Sequence, residues 1–373
     1  MPMTSATSAR LFKKELVRHA RKTGYIDDPD VILGFSCHDF SMRGMSGIES
    51  TISSGMGHLS AFVGSESIPA IAAVEEYYNT NAAKELVAST VPATEHSVMC
   101  AGGQEDELST FRRLIHDVYP TGFVSIVSDT WDYWQVIEEF LPQLKDEIMA
   151  RNGRVVIRPD SGCPEDIICG LWTNPRYTTK IEDGKYYFKE NNNYGGLIQT
   201  PQWKECSKGQ YYGTYQMLWY LFGGTETSNG YKKLDSHIGL IYGDSITLER
   251  QKEIYERLES IGFCASNLVL GVGSYTYQGK TRDCLGFAMK ATWCQINGEP
   301  KEIFKKPKTD SGTKNSLKGL ICVTKDANGN YVAEDQVTPE KEATGCLETV
   351  FENGKLVKEF TLAEVRANVD ASL

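Results

Sequence analysis

The 373-residue sequence has no C-x-x-C pair, and none of its ten cysteines (37, 100, 163, 169, 206, 264, 284, 294, 322, 346) stands at zinc-finger spacing from one of its six histidines. That excludes the common structural zinc frameworks. A chain of this length forms a core without covalent staples, so reduced thiols are expected rather than a disulfide lattice. Cys322 sits in the apolar run Leu320-Ile321-Cys322-Val323, where a free thiol acts as a small hydrophobe. No apolar run approaches the ~18 residues of a membrane span, and Met1 to Thr7 hold no signal-peptide core, so a cytosolic protein is expected. A basic excess is also lacking. With 39 Lys and Arg against 49 Asp and Glu the net charge is −10, which would repel a nucleic-acid backbone over most of the surface. G-x-G-x-x-G and G-x-x-x-x-G-K-[ST] are both missing, so neither a dinucleotide fingerprint nor a P-loop is present. Any anion this chain binds has to be held by a local cationic cluster.

What is present is an alternation. Amphipathic or helix-forming stretches are read over residues 8–23, 68–79, 104–118, 130–149 and 247–261. Between the later ones stand the β-rich runs Val124–Ser128, Arg154–Arg158, Ile238–Tyr242 and Asn267–Gly271. Apolar strands alternating with helices predict an α/β fold with a parallel sheet. Residues 174–236, rich in Tyr, Asn, Gly and Lys, are expected to be a long insertion with one helix near 211–222; their aromatics argue against a disordered linker. From 286 onward the pattern turns to hairpins, with turns at Asn297-Gly298, Asn328-Gly329 and Glu352–Lys355. A short helix over Thr361–Ala367 is expected to close the chain.

The four β runs end alike, in Asp or Gly beside a small polar residue: Ser128-Asp129, Arg158-Pro159-Asp160-Ser161, Gly243-Asp244-Ser245 and Gly271-Val272-Gly273-Ser274. In a parallel barrel such termini share the face that carries the chemistry. Helix capping is the alternative for Asp129 and Asp244. Carboxylates beside Arg158 suit a ligand with sugar hydroxyls, phosphates and Mg²⁺. The element GVGSYTYQGKTRD (271–283) supplies unobstructed backbone N–H groups followed by Arg282, a pairing that holds a phosphate. Lys290, Lys305, Lys306, Lys308, Lys314 and Lys318 form a local basic cluster, with a solvated lysine face as the alternative. His96 adjoins Glu95, and an imidazole oriented by a carboxylate suits attack on a phosphoryl group. HDFSMRG (38–44) puts Phe40 and Arg43 where a strand gives way to a loop, a pairing that suits a flat ligand carrying an anion.

Together with FVGSES (62–67), VPATEHS (91–97), VSDTWD (127–132), IRPDSG (157–162), YGDS (242–245) and FKKPKTDSGTKNSLKG (304–319), these motifs resemble the nicotinamide phosphoribosyltransferases in family order over nearly the whole chain. The resemblance implies the type II phosphoribosyltransferase fold: a barrel-like α/β catalytic domain, expected over 1–285, and a β-rich region over 286–373 completing the phosphate site. It implies transfer of the phosphoribosyl group of phosphoribosyl pyrophosphate to nicotinamide, giving nicotinamide mononucleotide in NAD salvage. Phe40 then matches the residue stacking on the pyridine ring, Arg43 the cation near ring and phosphate, and Glu66 the carboxylate receiving the carboxamide N–H. Arg158 and Asp160 match positions serving base and ribose, and Asp244 the ribose hydroxyls. Gly273, Ser274 and Arg282 match the 5′-phosphate site, and Lys290, Lys305 and Lys314 cations serving phosphates. His96 matches a histidine phosphorylated by ATP, with Glu95, Asp129 and Asp160 beside it, and Mg²⁺ is implied with the leaving group. The family further implies a homodimer with interfacial sites, and the late start of the matching region raises the expectation of a separately encoded N-terminal polypeptide. Glu66 where Asp is usual, and Ser274-Tyr275 where some members carry glycines, depart from the pattern. A nicotinate phosphoribosyltransferase and an inactive nucleotide-binding homologue are the alternatives.

Overall fold

The computed structural model describes residues 2–191, 202–243, 245–282, 284–304 and 317–373. Its contacts divide into two units: Met1–Thr281 together with Thr361–Leu373, and Arg282–Phe360.

The first unit is built on six parallel strands: β1 (Cys37–Asp39), β2 (Gly64–Ser65), β3 (Thr121–Val127), β4 (Asn152–Arg158), β5 (Ile238–Tyr242) and β6 (Leu268–Val272), in the order β2-β1-β6-β5-β4-β3. The runs are β-branched and apolar, and Val124, Ile126, Val155, Ile157, Ile238 and Leu270 are fully buried, as strands covered on both faces require. The edges do not stay open. Residues 89–94 bridge them, with Gly64 paired to Ser89 and Ala93 to Ser125, both parallel. Ser65 N–H donates to the Ser89 carbonyl at 3.1 Å, and Ser125 N–H to the Pro92 carbonyl at 2.8 Å. This irregular segment joins the two edges into a barrel.

Helices α1 (Pro2–Thr23), α2 (Ile48–Leu59), α3 (His96–Gly102), α4 (Lys208–Phe222), α5 (Leu248–Ser260), α6 (Ser274–Gln278) and α7 (Leu362–Asp370) belong to this unit. Thr247 caps α5 through Arg250 N–H, and Ser207 with Gln210 forms a capping box on α4. The helix expected near 104–118 ends in a π-helical stretch, Leu114–Val118, and the one near 130–149 is interrupted by another, Val136–Phe140. Residues 174–236 lie, as expected, in the crossover between the neighbouring parallel strands β4 and β5 and contain a helix near 211–222. Their described residues form a three-stranded antiparallel sheet, a short hairpin and α4, and Tyr215, Leu218, Phe222 and Leu234 enter the main core.

α1 and α5 are tied by charge. Glu259 accepts from His19 Nδ1 at 2.8 Å, Arg18 Nη2 at 2.8 Å and Lys22 Nζ at 2.6 Å. His19 is fully buried, and its Nε2 accepts Ala265 N–H at 3.1 Å, which fixes the proton on Nδ1. Burial opposes the charge on Glu259, but the bonds from His19, Lys22 and Arg18 outweigh it and hold the carboxyl at about 2.

The described residues of the second unit hold three two-stranded antiparallel hairpins: Trp293–Ile296 with Glu299–Glu302, Cys322–Lys325 with Tyr331–Glu334, and Phe351–Glu352 with Lys355–Leu356. Asn297 (φ 51°) and Gly298 (φ 85°) make the expected left-handed turn. α7 packs with the first unit rather than with the hairpins before it, because Leu362 is buried with Met56, Leu59 and Val74. Among the described residues no helix is long and apolar enough to cross a membrane.

Candidate active site

The carboxyl ends of the strands carry the polar residues. Phe40, Met42, Arg43, Glu66, Glu95, Arg158, Asp160 and Gly243 line one cavity of about 270 Å³. Phe40 leaves the end of β1 with its N–H bonded to the Val272 carbonyl at 2.9 Å, and its ring stacks on His38 at 4.4 Å and 29°. Glycine makes room beside the ring: a Cβ on Gly271 would lie 2.8 Å from Phe40 Cδ2. Asp39, fully buried beneath, accepts Ser41 N–H at 2.9 Å and so starts the turn that carries Arg43. The Asp39 carbonyl accepts Glu66 N–H at 3.0 Å, which sets the carboxylate opposite the turn.

Arg158, at the end of β4, is buried, with Nη2 3.8 Å from Glu95 Oε1 and 4.0 Å from Asp160 Oδ2. Its Nε has no hydrogen-bond partner among the described residues. A buried guanidinium with spare donors, flanked by carboxylates, is suited to a polar ligand rather than to stability. Burial raises the pKa of Asp160, with Arg158 pulling it down and Asp129 adding to the rise. Burial likewise raises Glu66, against the pull of Arg158.

His96 opens α3, and its Nε2 lies 3.2 Å from Asp129 Oδ1 at the end of β3. Asp129 Oδ2 accepts Ser161 Oγ–H at 2.6 Å and Asp160 N–H at 3.0 Å. One buried carboxylate therefore orients the imidazole and the loop after β4. The capping alternative for Asp129 does not hold: Asp132 is the cap, accepting from Trp134 and Gln135 N–H at 3.0 and 3.2 Å. A second cavity of about 130 Å³ shares Phe40, Arg43 and Gly243 with the first and adds Gly273 and Ser274, at the start of α6.

Phe40, Arg43, Glu66, Glu95, Arg158, Asp160, His96, Asp129, Gly273 and Ser274 thus gather at one mouth. Arg282 and Lys290 belong to the second unit, where both are exposed. Asp244, Lys305 and Lys314 lie outside the described residues. Ser161 and Gly271 were not singled out for these roles from the sequence. Ser161 is one of many serines, and the need for Gly271 shows only once Phe40 lies against it.

The profile of the nicotinate phosphoribosyltransferase (NAPRTase) family matches residues 35–355. A protein of Acinetobacter baylyi named nicotinamide phosphoribosyltransferase is 47% identical over 376 residues, covering 99% of this chain and 67% of its own. Proteins of the same name from Mycoplasma pneumoniae and Xanthomonas campestris are 39% and 30% identical. They cover 85% and 100% of this chain, and 59% and 70% of their own. The chain therefore spans about three fifths to seven tenths of the length of these relatives.

Proposed function

The chain belongs to the nicotinate phosphoribosyltransferase family, and on that premise we propose that it transfers the phosphoribosyl group of phosphoribosyl pyrophosphate to nicotinamide, releasing pyrophosphate and giving nicotinamide mononucleotide for NAD salvage. The observation carrying this reading is the convergence of an aromatic ring, two guanidiniums and three carboxylates around one cavity, with a second, glycine-edged cavity beside it. The pyridine ring stacks on Phe40, and the carboxamide N–H donates to Glu66. Asp160 takes the ribose hydroxyls, and the backbone at Gly273 and Ser274 with Arg43 takes the 5′-phosphate. Asp244, Arg282, Lys290, Lys305 and Lys314 belong to the same reading as ribose and phosphate contacts. Positive charge grows on the sugar as the carbon–pyrophosphate bond breaks, and the carboxylates around it favour that state over bound substrate.

Among the described residues no group of three or more His, Cys, Asp or Glu is placed to hold a metal ion. Mg²⁺ brought with the diphosphate would need only one or two carboxylates from the chain. Asp160 is the residue to hold it, since both oxygens of Asp129 are already engaged. When bound, Mg²⁺ neutralises charge on the leaving pyrophosphate. His96 is the acceptor for phosphoryl transfer from ATP: the Asp129 carboxylate only accepts, so the proton sits on Nε2 and Nδ1 keeps its lone pair. A homodimer belongs to the same reading, and sedimentation of the purified chain checks it.

Pyrophosphate release with nicotinamide and with nicotinate tests the base. A carboxylate at position 66 accepts from the amide and repels a carboxylate in its place. Nicotinamide is expected to be preferred, and Glu66→Gln to narrow that preference by about tenfold, ~1.4 kcal/mol. Because burial raises its pKa, Glu66 protonates at higher pH than an ordinary glutamate. The repulsion is therefore present above that pKa and lost as pH falls, so selectivity should decline on the acid side of neutrality in the wild type and stay flat in Glu66→Gln. Equal use of both bases by the wild type would overturn the assignment.

A further inference from the structure

His58 lies outside both cavities, yet its two ring nitrogens reach the elements that form them. It is fully buried near the end of α2. Nε2 is 2.9 Å from the Gly64 carbonyl, and Nδ1 is 2.6 Å from the Tyr277 hydroxyl, itself buried. A carbonyl only accepts, so Nε2 carries the proton and Nδ1 accepts from the tyrosine O–H. The ring plane is held by stacking on Phe62, with centroids 5.4 Å apart at 27°. Every polar atom of the imidazole is thus committed to a neutral, single orientation.

The two partners belong to different subsites. Gly64 is in β2, two residues before Glu66, and pairs with His38 beneath Phe40. Tyr277 is in α6, three residues after Ser274 at the edge of the second cavity. The sheet connects β2 to α6 only by way of β1 and β6, whereas the imidazole touches both, a direct strut between the base wall and the phosphate helix.

We propose that His58 is a positioning residue that sets the separation between the base and 5′-phosphate subsites. The inference rests on the function proposed above. A ligand spanning both subsites gains the advantage of linkage only when their spacing matches its own, whereas a ligand filling one subsite is indifferent to that spacing. His58 therefore acts on the joined nucleotide and not on its halves.

The test is calorimetric binding of nicotinamide, ribose 5-phosphate and nicotinamide mononucleotide to the full chain, wild type and Tyr277→Phe. That substitution removes one oxygen and releases the strut at the helix end. The mononucleotide should weaken about tenfold while each half weakens less than threefold; His58→Ala should show the same disparity. Tyr277→Phe keeps the test open if His58→Ala does not fold. A merely structural role predicts lower thermal stability with the mononucleotide losing no more than its halves, and that result would overturn the proposal. A wild type that binds nicotinate mononucleotide instead refutes the base assignment alone, and the same comparison with nicotinate then decides on His58. A wild type that binds neither mononucleotide overturns both.

Discussion

Asp129→Asn should lower the ATP-stimulated turnover at least a hundredfold, about 2.7 kcal/mol of transition-state stabilisation, without unfolding the chain. The amide keeps the size of the carboxylate, and its oxygen retains the bonds from Ser161 and Asp160 N–H. Its NH₂ then faces His96 Nε2, which has to accept where it formerly donated. The proton moves to Nδ1 and the lone pair available for phosphoryl attack points back at residue 129. Acid-labile labelling from Mg-ATP should fall in step with the ATP-stimulated part of pyrophosphate release, while the melting temperature stays within a few degrees. Wild-type labelling in this variant would place the phosphoryl acceptor elsewhere than His96.

Glu259→Gln should destabilise the first unit by about 3 kcal/mol, since it strands Arg18, Lys22 and a fully buried His19 around a neutral amide. The contribution of this carboxylate is pH-dependent with a definite sign. Its folded pKa of about 2 lies below the ordinary 4.5, so the stabilisation is complete above pH 4.5 and is lost as pH falls towards 2. Urea unfolding at pH 7 and pH 3 should therefore show the variant far behind the wild type at the first and closer to it at the second. A gap of the same size at both would mean that shape rather than charge joins α1 to α5.

The sheet was legible because its central strands announce themselves: Val155, Ile157, Ile238 and Leu240 are apolar on both faces, and each run stops at a polar turn. The mouth of the site was legible for the same reason, since Asp129, Asp160 and Gly273 follow those runs directly. α2 was not. Its sequence, IESTISSGMGHL, has a loop's composition, and it is a helix because small residues let it press on α1, where a Cβ on Gly57 would lie 2.5 Å from Ala6 N. The π-helical stretches shift the helical phase within a single turn of five residues, too short a span for the sequence pattern to separate from an α-helix. His58 with Tyr277, and His19 with Glu259, are separated by more than 200 residues. No local feature predicts such pairs; only the closed sheet brings them together.

The strand order also bears on how the chain is made. β3 and β4 are neighbours in sequence and in space, but Cys37 of β1 pairs with Leu270 of β6, more than 230 residues later. At ribosomal speeds of about 5–20 residues per second, β1 waits roughly 10–50 s for that partner. During this interval Phe40, Arg43 and the β1 edge are synthesised but unhoused, while the β3–β4 half already has its local contacts. The ring-binding end of the cavity is thus assembled last although it is encoded first, and a nascent chain stalled before β6 presents an unpaired strand edge to chaperones and to other nascent chains.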